Sequence, residues 1–360
     1  MLDLLEQMSK GLLELFERKR GVFSRFYFLS DQEMLSIYSQ SRSLEHFRLS
    51  ARLCFDEVED VIISPTGQAQ AVVSASETLS LQRPVQLDKD APLEEQLAAI
   101  DREIRHSLQA SLEGTFRTGE SPVRQMAHLG SAVRWTDSTA RAVVDSTLEA
   151  LLLAYAARLD EVCREIRQLG EPGSPNRQRL SSMKILQLLH QRDTLNSLVV
   201  QRVTSLSDFS WQCCLRSYYS GKECLVSQME LSRKYGFEYL GGRERICITP
   251  TTDRCLRALA YGLENAQIAC VKGERDTGKT ATVGEFASAF GKRFVVLSCS
   301  ALIERECLVK VFQGMCTSGA WVCLEHFDAV QTEMLSVLAQ LVKSVRIQSY
   351  SSKNLALTGG

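Results

Sequence analysis

Eight consecutive residues in the last third of the chain, Gly273 to Thr280, have the sequence GERDTGKT. In this pattern glycines let the backbone wrap closely around phosphates, the lysine reaches the outer phosphates of a nucleotide, and the final hydroxyl can ligate Mg²⁺. Such a loop joins a buried strand to a helix whose N-terminus faces the anion. We predict that strand at Gln267 to Lys272 and the helix from the loop to Phe290. The sequence therefore predicts a parallel α/β sheet.

Two further strands are predicted after the loop, at Phe294 to Ser298 and at Trp321 to Leu324. The second is followed directly by Glu325 and His326, and ligands of open α/β sheets bind at the carboxyl ends of strands. We expect Glu325, with Thr280, to hold magnesium; the alternative is a solvated carboxylate at a strand end. Three roles stay open for His326: a base, a partner for the carboxylate, or a surface imidazole.

Composition excludes several classes of protein. The chain of 360 residues is 44% apolar and 24% charged, which is typical of a soluble globular protein rather than a disordered one. Its net charge of -1 provides no field for nucleic acid or an anionic membrane. No run reaches the roughly 18 apolar residues that a membrane span needs. The twelve cysteines are scattered and contain no CxxC pair, so we expect reduced thiols, no membrane or nucleic-acid partner, and a cytosolic or cytoskeletal location.

The first half of the chain has mainly helical patterns. Ser30 and Glu33 have the spacing of a capping box that starts a helix. Two β-rich runs, Val61 to Ile63 and Ala71 to Val73, predict a hairpin around Ser64 to Gly67. Pro84 and Pro92 are expected to bracket a polar connection.

The clearest helix begins at Leu148, where apolar residues recur at alternating steps of four and three. This spacing suits a coiled coil or a core-facing helix of a bundle, and the short length of the pattern favours the bundle. EPGSPN, Glu171 to Asn176, is expected to end it, and a second helical stretch is predicted from Arg179 to Val203. Near Gly241 the pattern changes to short apolar runs alternating with helices, which predicts domains at 1–240 and 241–360.

At this point a family resemblance becomes specific. ICITPTTDRCLRAL, from Ile246 to Leu259, resembles the segment that leads into the first AAA+ module of dynein heavy chains. The loop with its helix, and SGAWVCLEHFDAVQTEMLSVLAQ from Ser318, resemble that module's Walker A and Walker B regions. FSRFYFLSDQEMLSI from Phe23 and KYGFEYLGG from Lys234 resemble the linker that crosses the motor ring. The chain is most similar to the most divergent kind of heavy chain in the family.

The resemblance implies a mixed fold, in which an α-helical linker region precedes an incomplete α/β P-loop sheet of the AAA+ type. It implies ATP and Mg²⁺ as ligands, dynein intermediate and light intermediate chains as partners, and microtubules bound through parts of the parent that this chain lacks. It also implies a place in the cytoplasm and cytoskeleton or in the axoneme of a cilium or flagellum. The residues it assigns to nucleotide contact are Gly273, Glu274, Arg275, Asp276, Thr277, Gly278, Lys279 and Thr280, with Ile248, Thr249 and Pro250 beside the adenine.

The sequence also departs from the family pattern. The family's Walker B strand ends in Asp-Glu, and Glu325 and His326 occupy those positions here. The second carboxylate polarises the attacking water, and a positioned general base contributes roughly 10²–10⁴-fold, so we expect little hydrolysis unless His326 replaces it as the base. Glu274 and Asp276 add negative charge to the loop and are expected to lower affinity.

The family continues beyond the point where this chain stops. After a helix that we predict to end near Val345, the family has a sensor strand that lies between the P-loop strand and the Walker B strand. We therefore expect a fragment of a longer protein, in which both inner strands lack a neighbour and expose unpaired backbone.

Three functions are compatible with these features. The first is a heavy-chain segment of a motor for microtubule-based movement, in which the nucleotide changes how the linker docks. The second is a non-catalytic scaffold that keeps a nucleotide site for stability or assembly. The third, an independent P-loop kinase, needs a lid and an acceptor site for which the sequence offers no candidate.

Overall fold

A computed structural model of the chain describes residues 2–39, 43–88, 90–119, 121–168, 175–221, 223–243, 245–300 and 303–357. The helices, in chain order, are α1 (Leu2–Val22), α2 (Asp31–Ser39), α3 (Leu44–Cys54), α4 (Leu93–Thr118), α5 (Arg124–Val144), α6 (Leu148–Gln168), α7 (Pro175–Val200), α8 (Phe209–Gln212), α9 (Pro250–Glu264), α10 (Lys279–Ala289), α11 (Arg305–Ser318) and α12 (Thr332–Leu357). The strands are β1 (Asp60–Ile63), β2 (Gln68–Val73), β3 (Thr78–Gln86), β4 (Arg216–Ser220), β5 (Glu223–Gln228), β6 (Leu231–Lys234), β7 (Phe294–Ser298) and β8 (Trp321–Glu325). Short 3-10 turns occupy Ser24–Phe28 and Phe327–Ala329.

The chain folds into two compact units, and one of them is built from two stretches that are far apart in the sequence. The first unit combines Met1–Ser107 with Arg293–Gly360, and the second is Leu108–Lys292. The first unit therefore contains both ends of the chain. The two domains predicted from the sequence, 1–240 and 241–360, stay a prediction.

The first unit confirms two of the local predictions. The Ser30 backbone N–H donates to Glu33 Oε2 at 2.7 Å, and the Glu33 N–H donates back to Ser30 Oγ at 3.2 Å, which completes the capping box. The hairpin also forms, with β1 and β2 antiparallel. A third strand, β3, was missed because Pro84 lies inside it, contrary to the predicted connection. The sheet order β1-β2-β3 makes β3 an edge strand, where proline is tolerated because no ladder N–H is needed.

The rest of the first unit is a small α/β element. Strands β7 and β8 are parallel, from the pair Phe294 and Trp321 to the pair Ser298 and Glu325, as the sequence predicts. Helix α11 connects them and packs on the 3-10 turn at Ser24–Phe28 so closely that a Cβ on Gly314 would lie 2.7 Å from Tyr27 Cβ. Below the strands, a cluster of buried residues forms the local core: Cys299, Leu308, Val330 and Leu338.

The second unit is built on helices. The apolar face of α6 packs against α7, with Leu159, Val162 and Leu188 at the centre of the contact, which confirms the core-facing interpretation. Helix α7 confirms the second helical stretch, whereas residues 171–174 of the predicted break lie outside the described residues. The antiparallel sheet β4-β5-β6 was not predicted.

Two predictions of secondary structure are wrong. Gln267 to Lys272 forms no strand and is largely exposed, with Ile268 68% exposed. A strand needs hydrogen-bonding neighbours, and in the described residues β7 and β8 form a sheet of two strands by themselves. Helix α12 reaches Leu357 rather than Val345, because residues 346–357 include no proline or glycine. No helix in the described ranges combines the length and apolar character of a membrane span.

Candidate nucleotide-binding site

The predicted phosphate loop lies between α9 and α10 in the second unit. Residues Gly273 to Gly278 are exposed, and α10 begins at Lys279 as predicted. Gly278 has φ +76°, a left-handed conformation that glycine adopts without steric cost, and it is the N-cap of α10. The first amides of a helix have no partner within the helix, so the N-terminus of α10 presents donors and a positive dipole to an anion.

The lysine of the loop is folded back onto the loop itself. Lys279 Nζ donates to the Gly273 carbonyl oxygen at 3.0 Å and to the carbonyl oxygen of Glu274. Thr277 Oγ1 donates to the same Glu274 oxygen at 2.9 Å, which closes the turn. The ammonium is therefore hydrogen-bonded to neutral carbonyls. A phosphate would replace these carbonyls as its acceptor, because charge-assisted hydrogen bonds are roughly twice as strong as bonds between neutral groups.

The acidic residues of the loop are less of an obstacle than the sequence suggests. Glu274, Arg275 and Asp276 are all exposed, so water and salt screen their charges. Asp276 also has φ +56°, a left-handed conformation for which aspartate is one of the better-tolerated residues. We interpret these side chains as a modest electrostatic penalty, offset in part by Arg275.

The residues predicted beside the adenine begin helix α9. Thr249 is the N-cap, and its Oγ1 accepts a hydrogen bond from the Thr252 N–H at 3.2 Å. Pro250 is the first helical residue, where its missing N–H costs nothing. Ile248, partly buried, precedes them. Helix capping alone explains Thr249 and Pro250, so the contact with adenine stays a prediction.

Glu325 and His326 lie in the first unit, at the end of β8. The Glu325 carbonyl accepts a hydrogen bond from the Cys299 N–H at 2.9 Å, so Glu325 is still part of the strand pair. His326 has φ +51° and starts the 3-10 turn, and its side chain is exposed. The left-handed residue breaks the alternation of the strand, so the side chain at position 326 does not continue the direction set by β8. Shared magnesium binding by Thr280 and Glu325 stays a prediction.

Sequence reasoning missed a polar cluster in the second unit around helix α10. Arg245 and Glu285 form an ion pair. His128 Nδ1 lies 3.1 Å from Arg245 Nη1 and 2.6 Å from Gln187 Oε1. Burial, and then the charge of Arg245, holds the pKa of His128 well below its ordinary value. The signal in the sequence was Glu285 itself, the only charged residue between Thr280 and Lys292.

Comparison with known proteins identifies the family. A model described as "Dynein heavy chain, N-terminal region 2" matches residues 1–115, and one described as "Hydrolytic ATP binding site of dynein motor region" matches residues 235–359. The two matches together cover two thirds of the chain. The chain belongs to the dynein heavy chain family. The match at 235–359 includes the loop, α10, β7 and β8, so the chain is a segment of a dynein motor with a nucleotide-binding region.

Individual relatives extend the similarity over almost the whole chain. The chain is 29% identical over 354 residues to dynein axonemal heavy chain 3 of Mus musculus and 28% identical over 357 residues to dynein axonemal heavy chain 1 of Homo sapiens, with 95% of this chain covered in each case. It is 27% identical over 401 residues to the cytoplasmic dynein heavy chain of Dictyostelium discoideum, with 99% covered. The chain spans 9%, 8% and 8% of these three relatives.

These comparisons confirm the mixed fold class, with helical linker-type sequence before an α/β AAA+ segment. Axonemal and cytoplasmic heavy chains are both among the relatives. That the chain is nearest to the most divergent heavy chains stays a prediction.

Proposed function

We propose that this dynein segment binds ATP through Gly273 to Thr280 and hydrolyses it poorly. The observation that carries the proposal is the exposed loop at the N-terminus of α10, in which the Lys279 ammonium rests on two loop carbonyls. Triphosphate oxygens fit this arrangement, because they take the ammonium from neutral acceptors and reach the first amides of the helix. Mg²⁺ is proposed to accompany the nucleotide, because the hydroxyl of Thr280 and the carboxylate of Glu325, its two sequence-predicted ligands, are oxygen donors of the type it prefers.

Poor hydrolysis follows from the position of His326. The family pattern has a carboxylate there, whereas His326 is an exposed imidazole on a left-handed residue. A general base must come within about 3 Å of the proton it removes, directly or through one water, and an imidazole has a shorter reach than the carboxylate it would replace. Nucleotide therefore stays bound longer than in a site with two carboxylates.

The parent protein, in this proposal, acts in microtubule-based movement. This part of the proposal is supported by the similarity of the chain to axonemal and cytoplasmic heavy chains. Intermediate and light intermediate chains are the expected partners, and microtubules are contacted by parts of the parent outside this segment. The location is the cytoplasm or the axoneme.

The alternative function is a non-catalytic scaffold, in which bound nucleotide stabilises the fold for assembly of a dynein complex. His326 favours this alternative, because it removes the second carboxylate without removing the phosphate loop. A ligand that binds only the folded state raises the free energy of unfolding by RT ln(1 + [L]/Kd), with no need for turnover.

The test measures ATP affinity and turnover of the 360-residue chain with Mg²⁺ present. Lys279→Ala is expected to weaken ATP binding about 10–100-fold, because charge-assisted hydrogen bonds contribute about 1.5–3 kcal/mol. Lys272→Ala is the matched control, since Lys272 is an exposed lysine directly before the loop, and it should change affinity less than about threefold. Equal effects of the two substitutions would contradict a specific site.

Turnover then distinguishes the two functions. We expect slow turnover in the parent chain and an increase in His326→Glu of up to roughly 10²-fold, the lower end of the contribution of a general base. Lys279-dependent turnover already present before the substitution supports the motor. ATP binding without turnover in the parent chain supports the scaffold.

A further inference from the structure

The first unit contains a cavity that plays no part in nucleotide binding. It has a volume of about 110 Å³ and lies between the last turns of α1 and α2, the start of α3, and the connection from β3 to α4. All of these elements belong to the stretch Met1–Ser107, so the cavity lies inside one compact unit. Since an apolar cavity of about 150 Å³ holds benzene, the volume here is enough for a ligand of roughly four or five non-hydrogen atoms.

The cavity has an apolar side and a wall that is fixed by hydrogen bonds. The apolar side is formed by three buried side chains, Ile37, Phe47 and Leu87. Gln96 fixes the connection from β3 to α4, because its Nε2 donates to the carbonyl oxygen of Asp88 at 2.6 Å and to that of Ala91 at 3.0 Å. The backbone that borders the cavity is therefore held in place from within α4.

Both oxygens of the buried carboxylate at the cavity have partners. Glu94 Oε1 accepts a hydrogen bond from the Lys19 ammonium, and Glu94 Oε2 accepts from Tyr38 Oη at 3.0 Å. Burial raises the pKa of Glu94, but the hydrogen bonds from Lys19, from its own backbone N–H and from Tyr38 together lower the pKa below its ordinary value. Glu94 is thus ionised and neutralises Lys19.

Two side chains at the cavity have hydrogen-bonding capacity that the described part of the chain does not use. His46 is 6% exposed, and its Nε2 has no hydrogen-bond partner there. Lys19 Nζ carries three donors, and its hydrogen bond to Glu94 uses one of them. A buried polar group without a partner is costly, so a ligand that pairs with these nitrogens gains affinity from them.

The charges around the cavity favour a neutral ligand. One ammonium, that of Lys19, faces two carboxylates, those of Glu94 and of Asp88 at the exposed rim. An anion would be repelled by the two carboxylates, whereas a cation would lie beside Lys19 and find both oxygens of Glu94 already paired. A neutral group with an oxygen acceptor avoids both penalties and can accept from Lys19 and from the proton-bearing nitrogen of His46.

We propose that this cavity binds a small neutral amide, whose oxygen accepts hydrogen bonds from Lys19 and His46 while its aliphatic part contacts Ile37 and Phe47. The amide is a free molecule or the end of a glutamine side chain of a partner protein. Binding is independent of nucleotide, because the phosphate loop belongs to the other compact unit.

The experiment uses three probes of the same shape and different charge: propanamide, propanoate and propanamidinium. Each is titrated into the 360-residue chain, and the imidazole nitrogens are followed by NMR, which is practical because the chain has five histidines. His46→Gln assigns the signals of His46. A blocked Gly-Gln-Gly peptide, with Gly-Ala-Gly as its control, distinguishes the two sources of the amide.

Propanamide should shift the His46 signals saturably, with a dissociation constant on the order of 1–10 mM, a value within reach of five non-hydrogen atoms. Propanoate and propanamidinium should bind at least about tenfold more weakly. A glutamine peptide that binds as tightly as propanamide identifies a partner side chain, and one that does not bind identifies a free small amide.

Two alanine substitutions place the binding in the cavity. Ala91→Leu fills the cavity and should abolish the shifts caused by propanamide, whereas Ala98→Leu, on α4 outside the cavity lining, should keep them. Circular dichroism checks that both variants are folded. The proposal is overturned if propanamide gives no saturable shift, if a charged probe binds as tightly, or if binding persists in a folded Ala91→Leu. The comparison of the three probes needs no variant, so it decides the question even if Ala91→Leu does not fold.

Discussion

The β7–β8 pair and the run Gln267 to Lys272 have similar sequences and different structures. Each is a short apolar run followed by a polar turn, and each is predicted as a strand. Strands β7 and β8 form because each supplies the other's hydrogen bonds, whereas residues 267–272 have no strand partner among the described residues. The loop and α10 nevertheless form, because a turn and a helix satisfy their own backbone groups. In this structure the loop and α10 therefore form without the strand that was predicted before them.

Two left-handed glycines at the ends of helices give the largest expected difference between the regions. Gly291→Ala, after α10, should lower the free energy of unfolding of the second unit by about 3 kcal/mol or more, because the methyl group would overlap the Tyr235 ring at φ +59°. Gly319→Ala, after α11, meets open space at φ +70° and should cost only about 1–2 kcal/mol. Urea unfolding measures both. Similar losses would show that Tyr235 moves aside.

The contrast between the two apolar runs can be tested directly. Leu324→Ala in β8 should destabilise the first unit by about 2–3 kcal/mol, because Leu324 packs on the cluster of Cys299 and Leu308. Ile268→Ala removes an exposed side chain and should change stability by less than about 0.5 kcal/mol. Regional hydrogen exchange is the measurement. A large loss for Ile268→Ala would mean that residues 267–272 are packed as a strand after all.

Acid should weaken the second unit through its histidines. Burial lowers the pKa of His128 and of His190, so both stay neutral in the folded state while the unfolded chain takes up protons below about pH 6.5. Their contribution to stability is complete above that pH and falls as the pH decreases, by up to about 1.4 kcal/mol per pH unit for each histidine. Arg245 adds to the depression for both, whereas Asp253 opposes it at His190.

The measurement is urea unfolding between pH 7.5 and 5.5 in a Trp321→Phe background, where fluorescence reports Trp135 and Trp211 of the second unit. His128→Asn should reduce the slope with pH, since the amide can replace Nδ1 without titrating. An unchanged slope in His128→Asn would exclude His128 as the source.

The smallest effect concerns two of the left-handed residues predicted to act in ATP binding, His326 and Gly278. His326→Gly should raise the stability of the first unit by up to about 1 kcal/mol, because a left-handed conformation costs other residues about 1–2 kcal/mol and part of the gain is lost as backbone entropy. His326→Ala keeps the steric cost and controls for loss of the imidazole. Gly278→Ala should have the opposite sign, a loss of about 1–2 kcal/mol. If His326→Ala raised the stability of the first unit as much as His326→Gly, the destabilisation would come from the imidazole ring rather than from the left-handed backbone.

Local signals predicted much of the structure. The capping box at Ser30, the hairpin near Ser64 and the face of α6 that contains Leu159 depend on residues close together in sequence, and all three are confirmed. The phosphate loop and the start of α10 are local in the same sense. The sheet β4-β5-β6 was missed because its strands were read within a mainly helical region, and β3 was missed because Pro84 argues against a strand unless its edge position is known.

Tertiary context decided what the sequence pattern left open. The prediction of a strand at 267–272 was wrong because an apolar pattern does not show whether a neighbouring strand is present to form hydrogen bonds. The contacts of Arg245 with His128 and of Gln125 with Glu238 were missed because the partners lie far apart in the chain, by 117 residues for the first and 113 for the second. A single charge in an apolar helix, Glu285, was the only local sign of them.

Because the first unit consists of two separate stretches of the chain, its parts leave the ribosome at different times. Asp31 pairs with Lys310 across 279 residues of sequence, and Asp56 pairs with Arg293 across 237. At about 5–20 residues per second, roughly 10–40 seconds pass between synthesis of residue 107 and of residue 293. The second unit is complete before the first unit has its α11 and β8, so it folds while the 3-10 turn at Ser24–Phe28 still waits for its packing partner. During that interval the aromatic side chains of this turn lack the cover of α11 and are open to non-native contacts.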